Sequence, residues 1–191
     1  MKQLMAQPPG PSAFAGEGVA GSPITDVLHY NLDLEIVPTG TTLIGVNVIT
    51  VESLVDGLTT FDFSLDDAFT ISSVQVDTVA ASWTRLDPVN VRVTLNAAEN
   101  IGGTFDVRIA YSGVPQSGGF GSINFTTQGG QPLIFSLSEP FYSHTWWPVK
   151  DDNTDKATAD LAFTVPNTLK VASNGIRQGI DVVAGNKLKY R

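Results

Sequence analysis

The sequence predicts an all-β fold, built as a β-sandwich or a large curved sheet of mostly antiparallel strands. Short runs in which apolar and polar residues alternate recur at intervals of roughly ten residues, as strands do. No segment keeps the i, i+3, i+4 apolar spacing of an amphipathic helix over three turns. The 191 residues include 18 Gly and 11 Pro and are only 16% charged, which suits many turns between strands.

Alternation and turn residues place the strands in order. The first is the clearest, because Leu28, Tyr30, Leu32, Leu34 and Ile36 are apolar and the residues between them are polar. Further strands are predicted, with looser boundaries, at 43–54, 61–65, 69–76, 83–86, 91–95, 105–111, 123–125, 133–137 and 161–165.

Composition and turn residues predict the character of both ends of the chain and of one internal loop. Residues 1–23 are rich in Pro, Gly and Ala and are predicted to be a flexible leader, so the domain is expected to span 24–191. Residues 113–121 are predicted to be a mobile, glycine-rich connection. Residues 180–183 and 187–190 are predicted to pair through a Gly185-Asn186 turn, and the chain stops inside that hairpin. We therefore expect a piece of a longer protein.

Net charge and composition argue against several classes of partner and of binding site. The net charge of −8 argues against nucleic acid, whose phosphates require a basic face, and against docking on anionic lipid. No apolar run is long enough to cross a bilayer, and the absence of cysteine excludes disulfides and thiolate metal sites. Both a cytoplasmic and an exported bacterial location remain open.

The candidate functional segment is 135–160, an irregular polar and aromatic stretch between plain strands. Glu139 precedes Pro140, which stiffens the chain, and five aromatic residues lie within eight positions of it in the sequence. A carboxylate in such a setting can pair with a cation such as a free α-amine. The alternative is an exposed glutamate in a turn, and the residues by themselves favour that interpretation.

Other polar residues offer weaker alternatives. His29 is expected to be a solvated strand residue, and His144 a packed, hydrogen-bonded histidine rather than one that orients a partner. Two dispersed histidines make a self-contained zinc site improbable. Asp151, Asn153 and Asp155 have the D-x-N-x-D spacing of a calcium loop, but Lys156 stands where such a loop needs Gly, which favours a polar turn.

The chain resembles the N-terminal β domain of zinc aminopeptidases of the aminopeptidase N and leukotriene hydrolase type. Residues 25–34 (TDVLHYNLDL) are similar to that family's opening strand, D-x-x-H-Y-x-L-x-L, and residues 45–51 to its second strand. Residues 136–140 (SLSEP) and 147–157 (WPVKDDNTDKA) resemble T-Q-x-E-P and F/W-P-C-K/F-D-x-P-x-D-K-A. Residues 169–175 (LKVASNG) resemble the strand x-x-V-x-S-N-G that follows.

This resemblance implies a saddle-shaped β domain that packs on a separate catalytic domain of the same parent chain. That domain would hold zinc through HExxH and a later Glu, and zinc would polarise the first peptide carbonyl and activate water. Glu139 matches the family residue that contacts the free amine of a peptide substrate, and Ser138, Pro140 and His144 are expected to support it. This chain itself is expected to be non-catalytic and to bind no metal.

Departures from the family pattern affect the expected substrate contacts. Leu137 stands in place of Gln, Val149 in place of Cys and Asn153 in place of Pro, and Ser143-His144 replaces an Ala-Arg pair.

Two other functions remain open at this point. One is a protein-interaction domain of a catalytically degenerate relative, which would lack HExxH downstream. The other is a carbohydrate-binding module using Trp146 and Trp147, for which packing in the core is the competing interpretation.

Overall fold

The computed structural model describes residues 24–116 and 122–191. The predicted leader, 1–23, and residues 117–121 of the glycine-rich connection lie outside the described residues. The strands are β1 (Thr25–Val37), β2 (Thr42–Ser53), β3 (Leu58–Ser64), β4 (Phe69–Val76), β5 (Val79–Ala80), β6 (Trp83–Arg85), β7 (Asn90–Glu99), β8 (Thr104–Gly113), β9 (Ile123–Gln128), β10 (Gln131–Ser136), β11 (Thr158–Pro166), β12 (Ile180–Val183) and β13 (Lys187–Tyr190). A single 3₁₀ turn, Ser143–Thr145, accompanies them in these ranges.

The main layer is an eight-stranded sheet in the order β12-β13-β11-β1-β2-β8-β4-β5. Strands β1 and β11 run parallel, and the other neighbours in this sheet are antiparallel. The predicted all-β, mostly antiparallel fold is therefore confirmed. The parallel pair is possible because the long connection from β1 to β11 allows the chain to return in the same direction.

A smaller sheet, β3-β7-β6, forms the second layer of the sandwich. Alternation puts Phe61 and Phe63 of β3 on the same buried face as Val91 and Val93 of β7. Phe61 meets Phe105 of β8 edge to face, with ring centroids 6.2 Å apart. The hydrophobic core thus lies between the two sheets, and a separate hairpin, β9-β10, flanks it.

Residues 137–157, between β10 and β11, cover inward-facing residues of the main sheet beside β3. Three polar side chains of the main sheet form hydrogen bonds with the backbone of this segment. Tyr111 of β8 donates its hydroxyl to the Trp146 carbonyl (3.2 Å), and Asn47 of β2 donates to the Pro148 carbonyl (2.8 Å). Tyr30 Oη of β1 accepts the Lys150 amide (3.1 Å). This irregular segment is therefore built into the sandwich, and the sheet supplies partners for the Trp146 and Pro148 carbonyls and for the Lys150 amide.

The sequence predicts most strands and misses a few details. Every alternating run named above is a strand, and the terminal hairpin turns through Gly185 and Asn186, both with positive φ. Residues 169–175, expected from the resemblance to form a strand, contain none, and the two-residue strand β5 carried no sequence signal. No helix in the described ranges is long and apolar enough to cross a membrane.

Candidate functional site

Glu139 lies in the turn after β10, on the rim of an open cleft of about 680 Å³. Its side chain is exposed, and no hydrogen bond or ion pair to it is found among residues 24–116 and 122–191. The peptide bond to Pro140 is cis. Tyr30, Trp147 and Asp152 line other parts of the same cleft. The carboxylate is therefore accessible to a ligand in the cleft.

The residues on both sides of Glu139 are fixed by hydrogen bonds. Ser138 Oγ accepts from the Trp146 indole (2.9 Å), and the Ser138 carbonyl accepts from the Tyr142 amide (3.0 Å). The Pro140 carbonyl accepts from Asn153 Nδ2 (2.7 Å). Glu139 thus has a free side chain on a backbone held from both directions, and the predicted supporting residues Ser138 and Pro140 lie at the cleft with it.

His144 lies behind the cleft and is buried, with its Nδ1 2.7 Å from Asp151 Oδ2. The carboxylate of Asp151 lies in the cleft wall, and both side chains are about 95% excluded from solvent. The His144 carbonyl also accepts the Asp66 amide (3.0 Å). This matches the packed, hydrogen-bonded histidine that we expected, and any support it gives to the cleft passes through Asp151.

A buried ion pair anchors the other wall of the cleft to the main sheet. The Lys150 ammonium donates to the carboxylate of Asp155 and to the Thr25 carbonyl (2.7 Å) at the start of β1. Asp155 Oδ1 also accepts the Val27 amide (3.2 Å). The side chains of Lys150 and Asp155 are only 3% and 6% exposed. Because a buried charge is costly unless paired and hydrogen-bonded, these contacts fix both ends of the polar run 150–155.

Burial changes the ionisation of two neighbours of this pair. Loss of solvation, a hydrogen bond to Asp155 and the charge of Asp155 together raise the pKa of the Asp26 carboxyl. Burial raises the pKa of the Tyr30 phenol well above its usual range. Tyr30 therefore stays neutral at physiological pH and acts in the cleft wall only as a hydrogen-bonding and packing group.

The three residues of the D-x-N-x-D pattern point to different partners. Asp151 contacts His144, Asn153 contacts the Pro140 carbonyl, and Asp155 contacts Lys150. In the described part of the chain, no three His, Cys, Asp or Glu side chains come together as a metal site. The geometry is that of the polar turn, which was the alternative to a calcium loop.

The two tryptophans pack partly buried against the hydrophobic core. Trp147 meets Tyr30 edge to face at 5.0 Å, and the Trp146 and Trp147 rings lie 5.6 Å apart with a tilt of 38°. This arrangement favours the structural role over an exposed aromatic platform for sugars.

Comparison with known families decides the relationship. Residues 26–188 match the Peptidase M1 N-terminal domain. The chain belongs to this family. No curated protein sequence gives a significant match to this chain.

Solved structures similar to this M1 N-terminal domain include M1 zinc metallopeptidases. The enzyme from Deinococcus radiodurans superposes with a TM-score of 0.75 at 27% identity, over 87% of this chain and 38% of that chain. Its mutant bound to a Tyr-Ser-Ala substrate gives 0.75 and 26% over the same shares, 87% and 38%. A two-domain M1 zinc metallopeptidase mutant bound to L-tryptophan gives 0.76 and 26%, over 89% of this chain and 39% of that chain. This chain thus spans well under half of each of these proteins.

Sequence reasoning did not single out the sheet residues that position the site of this M1 N-terminal domain. Tyr30, Asn47 and Tyr111 form hydrogen bonds with the segment 137–157, and the two tyrosines read as ordinary strand residues. One signal was available: Asn47 is a polar residue at an inward position of β2, between the buried Gly45 and Ile49. A buried amide needs a partner, so its position predicts a segment crossing above it.

Proposed function

We propose that residues 24–191 are the N-terminal, non-catalytic domain of a zinc-dependent aminopeptidase. The domain forms one wall of the substrate cleft, and Glu139 contacts the free N-terminal amine of a peptide. The observation that carries this proposal is an exposed carboxylate without a partner among the described residues, set on a fixed backbone at the rim of an open cleft. The amino acid and peptide bound to the similar M1 metallopeptidases support the choice of ligand.

The zinc of such an enzyme belongs in this proposal to a catalytic domain elsewhere in the parent chain. The residues described here do not provide a zinc site, since no three metal-binding side chains converge among them. The contribution of this chain is to bind and orient. An ammonium held by Glu139 fixes the position of the first residue of the peptide, which restricts which peptide bond reaches the reacting centre.

Replacing Glu139 in the full-length protein tests this role. We expect Glu139→Ala to lower kcat/KM for aminoacyl anilides by about 10- to 100-fold, because hydrogen bonds to charged groups contribute about 1.5–3 kcal/mol. Glu139→Gln keeps the hydrogen-bond acceptor and loses the charge, so its loss should be smaller. Steady-state kinetics with free and N-acetylated substrates measures the effect.

Glu99→Ala is the matched control, because Glu99 is partly exposed at the end of β7 and lies outside the cleft. Its kinetics should equal those of the parent enzyme. If Glu139→Ala left kcat/KM unchanged, the assignment of the amine contact to Glu139 would be wrong.

A further inference from the structure

Asn153 connects the two walls of the cleft. Its Nδ2 donates to the carbonyl of Pro140 (2.7 Å), one residue after Glu139. The Glu139 side chain has no described protein partner, so its direction depends on the backbone that carries it. A shift of the Pro140 carbonyl would turn that backbone and swing the carboxylate with it.

The turn that contains Asn153 is itself stabilised by hydrogen bonds. Asp152 Oδ1 accepts from the Thr154 amide (2.9 Å) and hydroxyl (2.7 Å), and the Asp155 amide donates to the Asp152 carbonyl (3.2 Å). The Lys156 ammonium donates to the Asn153 carbonyl (2.6 Å). Through Asp155 this turn is attached to the buried ion pair and to the start of β1. The amide of Asn153 is therefore presented from a fixed support.

We infer that Asn153 is a positioning residue that sets the orientation of Glu139 toward the substrate amine. This inference rests on the proposed function and adds a residue to it. The related sequence pattern has Pro at this position, and Pro has no side-chain donor for the Pro140 carbonyl. The hydrogen bond from Asn153 to the Pro140 carbonyl is thus a feature of this chain. A side-chain amide, rather than a proline ring at position 153, defines the geometry of the backbone at Glu139.

The test is a double-mutant cycle in the full-length protein with an aminoacyl anilide as substrate. Asn153→Ala should lower kcat/KM by about 3- to 10-fold, the range that one hydrogen bond of ordinary net strength can supply. Asn153→Gln keeps the amide donor and should recover part of the loss. Asn100→Ala, at an exposed position in the β7-β8 turn, is the control and should leave the kinetics unchanged.

The cycle separates positioning from a general structural role. If Asn153 acts through Glu139, then Asn153→Ala should have no further effect on kcat/KM in the Glu139→Ala background, because the two changes remove one interaction. Additive losses, or no loss from Asn153→Ala alone, would overturn the inference about Asn153. No loss from Glu139→Ala would instead overturn the proposed function, so the two failures are distinguishable.

Discussion

Single carboxylates in this domain respond to pH in opposite directions according to their surroundings. Asp26 lies beside Asp155 and is poorly solvated, and its pKa is raised. Asp87 accepts a hydrogen bond from the Asn90 side chain (2.7 Å) and others from the Asn90 and Val89 amides, and its pKa is lowered. Relative to its ordinary behaviour, the same functional group therefore has its protonated form favoured at Asp26 and its ionised form favoured at Asp87.

Substitution by Asn at these two positions should change stability with opposite dependence on pH. The folded state holds the Asp26 proton more tightly than the unfolded chain does. The resulting stabilisation is present at low pH and is lost as pH rises through the raised pKa. The free energy of unfolding of Asp26→Asn should therefore rise relative to that of the parent as pH increases from about 3 to about 7.

Asp87→Asn should lose stability relative to the parent over the same interval. The lowered pKa of Asp87 means that its stabilisation is present at neutral pH and disappears as pH falls through the folded pKa. Urea unfolding of both variants and the parent at each pH measures the differences. If the difference in unfolding free energy between each variant and the parent stayed constant with pH, this account would be contradicted.

At the scale of elements, the pairing of β2 with β8 leaves no room for a side chain at Gly45. Gly45 is paired directly with Tyr111 across these strands, and the Tyr111 ring lies over it. A Cβ added to Gly45 would come within 2.6 Å of that ring. Tyr111 is almost fully buried and donates its hydroxyl to Trp146, so its ring has little room to move.

Gly45→Ala should therefore destabilise the domain by about 1–3 kcal/mol, the usual cost of overpacking a core. Chemical denaturation of the variant gives the value. Gly179→Ala is the matched control, because a Cβ there meets no atom closer than 3.7 Å and should change stability by less than about 0.5 kcal/mol. Equal stability of the Gly45→Ala variant and the parent would show that the Tyr111 ring can move aside.

The sequence predicted elements better than it predicted the contacts between them. Alternating apolar residues defined β1 and β8 because one face of each strand is buried, and Gly185-Asn186 defined the last turn because both residues adopt positive φ. The parallel pairing of β1 with β11 could not be predicted, since pairing depends on residues more than a hundred positions apart.

The sequence analysis named the segment and the one residue of the candidate site, but it did not predict the contacts that define the geometry of the site. Glu139 was predicted through the family pattern, because a single exposed carboxylate has no periodicity to reveal it. The contact from Asn153 to Pro140 was hidden because both residues read as parts of separate turns. The ion pair of Lys150 and Asp155 was hidden because burial of charged side chains depends on what packs over them.

At the scale of the whole molecule, the described residues of the domain bring no three metal-binding side chains together. We expect the purified 191-residue chain, once shown to be folded by circular dichroism, to hold less than stoichiometric zinc and to hydrolyse no aminoacyl anilide. The physical reason is the lack of three convergent ligands in the described ranges. Elemental analysis after dialysis against zinc measures the first, and a release assay the second. Tight binding of one zinc per chain would contradict the proposed division between domains.

The way in which the irregular segment 137–157 covers the main sheet has a consequence for assembly of the domain. Its bonds to Asn47 and Tyr30 join residues 101 and 120 positions apart, and each requires a polar side chain at one particular inward position of a paired strand. A strand displaced by a single residue would turn its polar anchor outward and leave the segment unsupported. Residues 137–157 can therefore take their observed position only when β1, β2 and β8 are paired in their observed register, so order in this segment reports that the sandwich is correctly assembled.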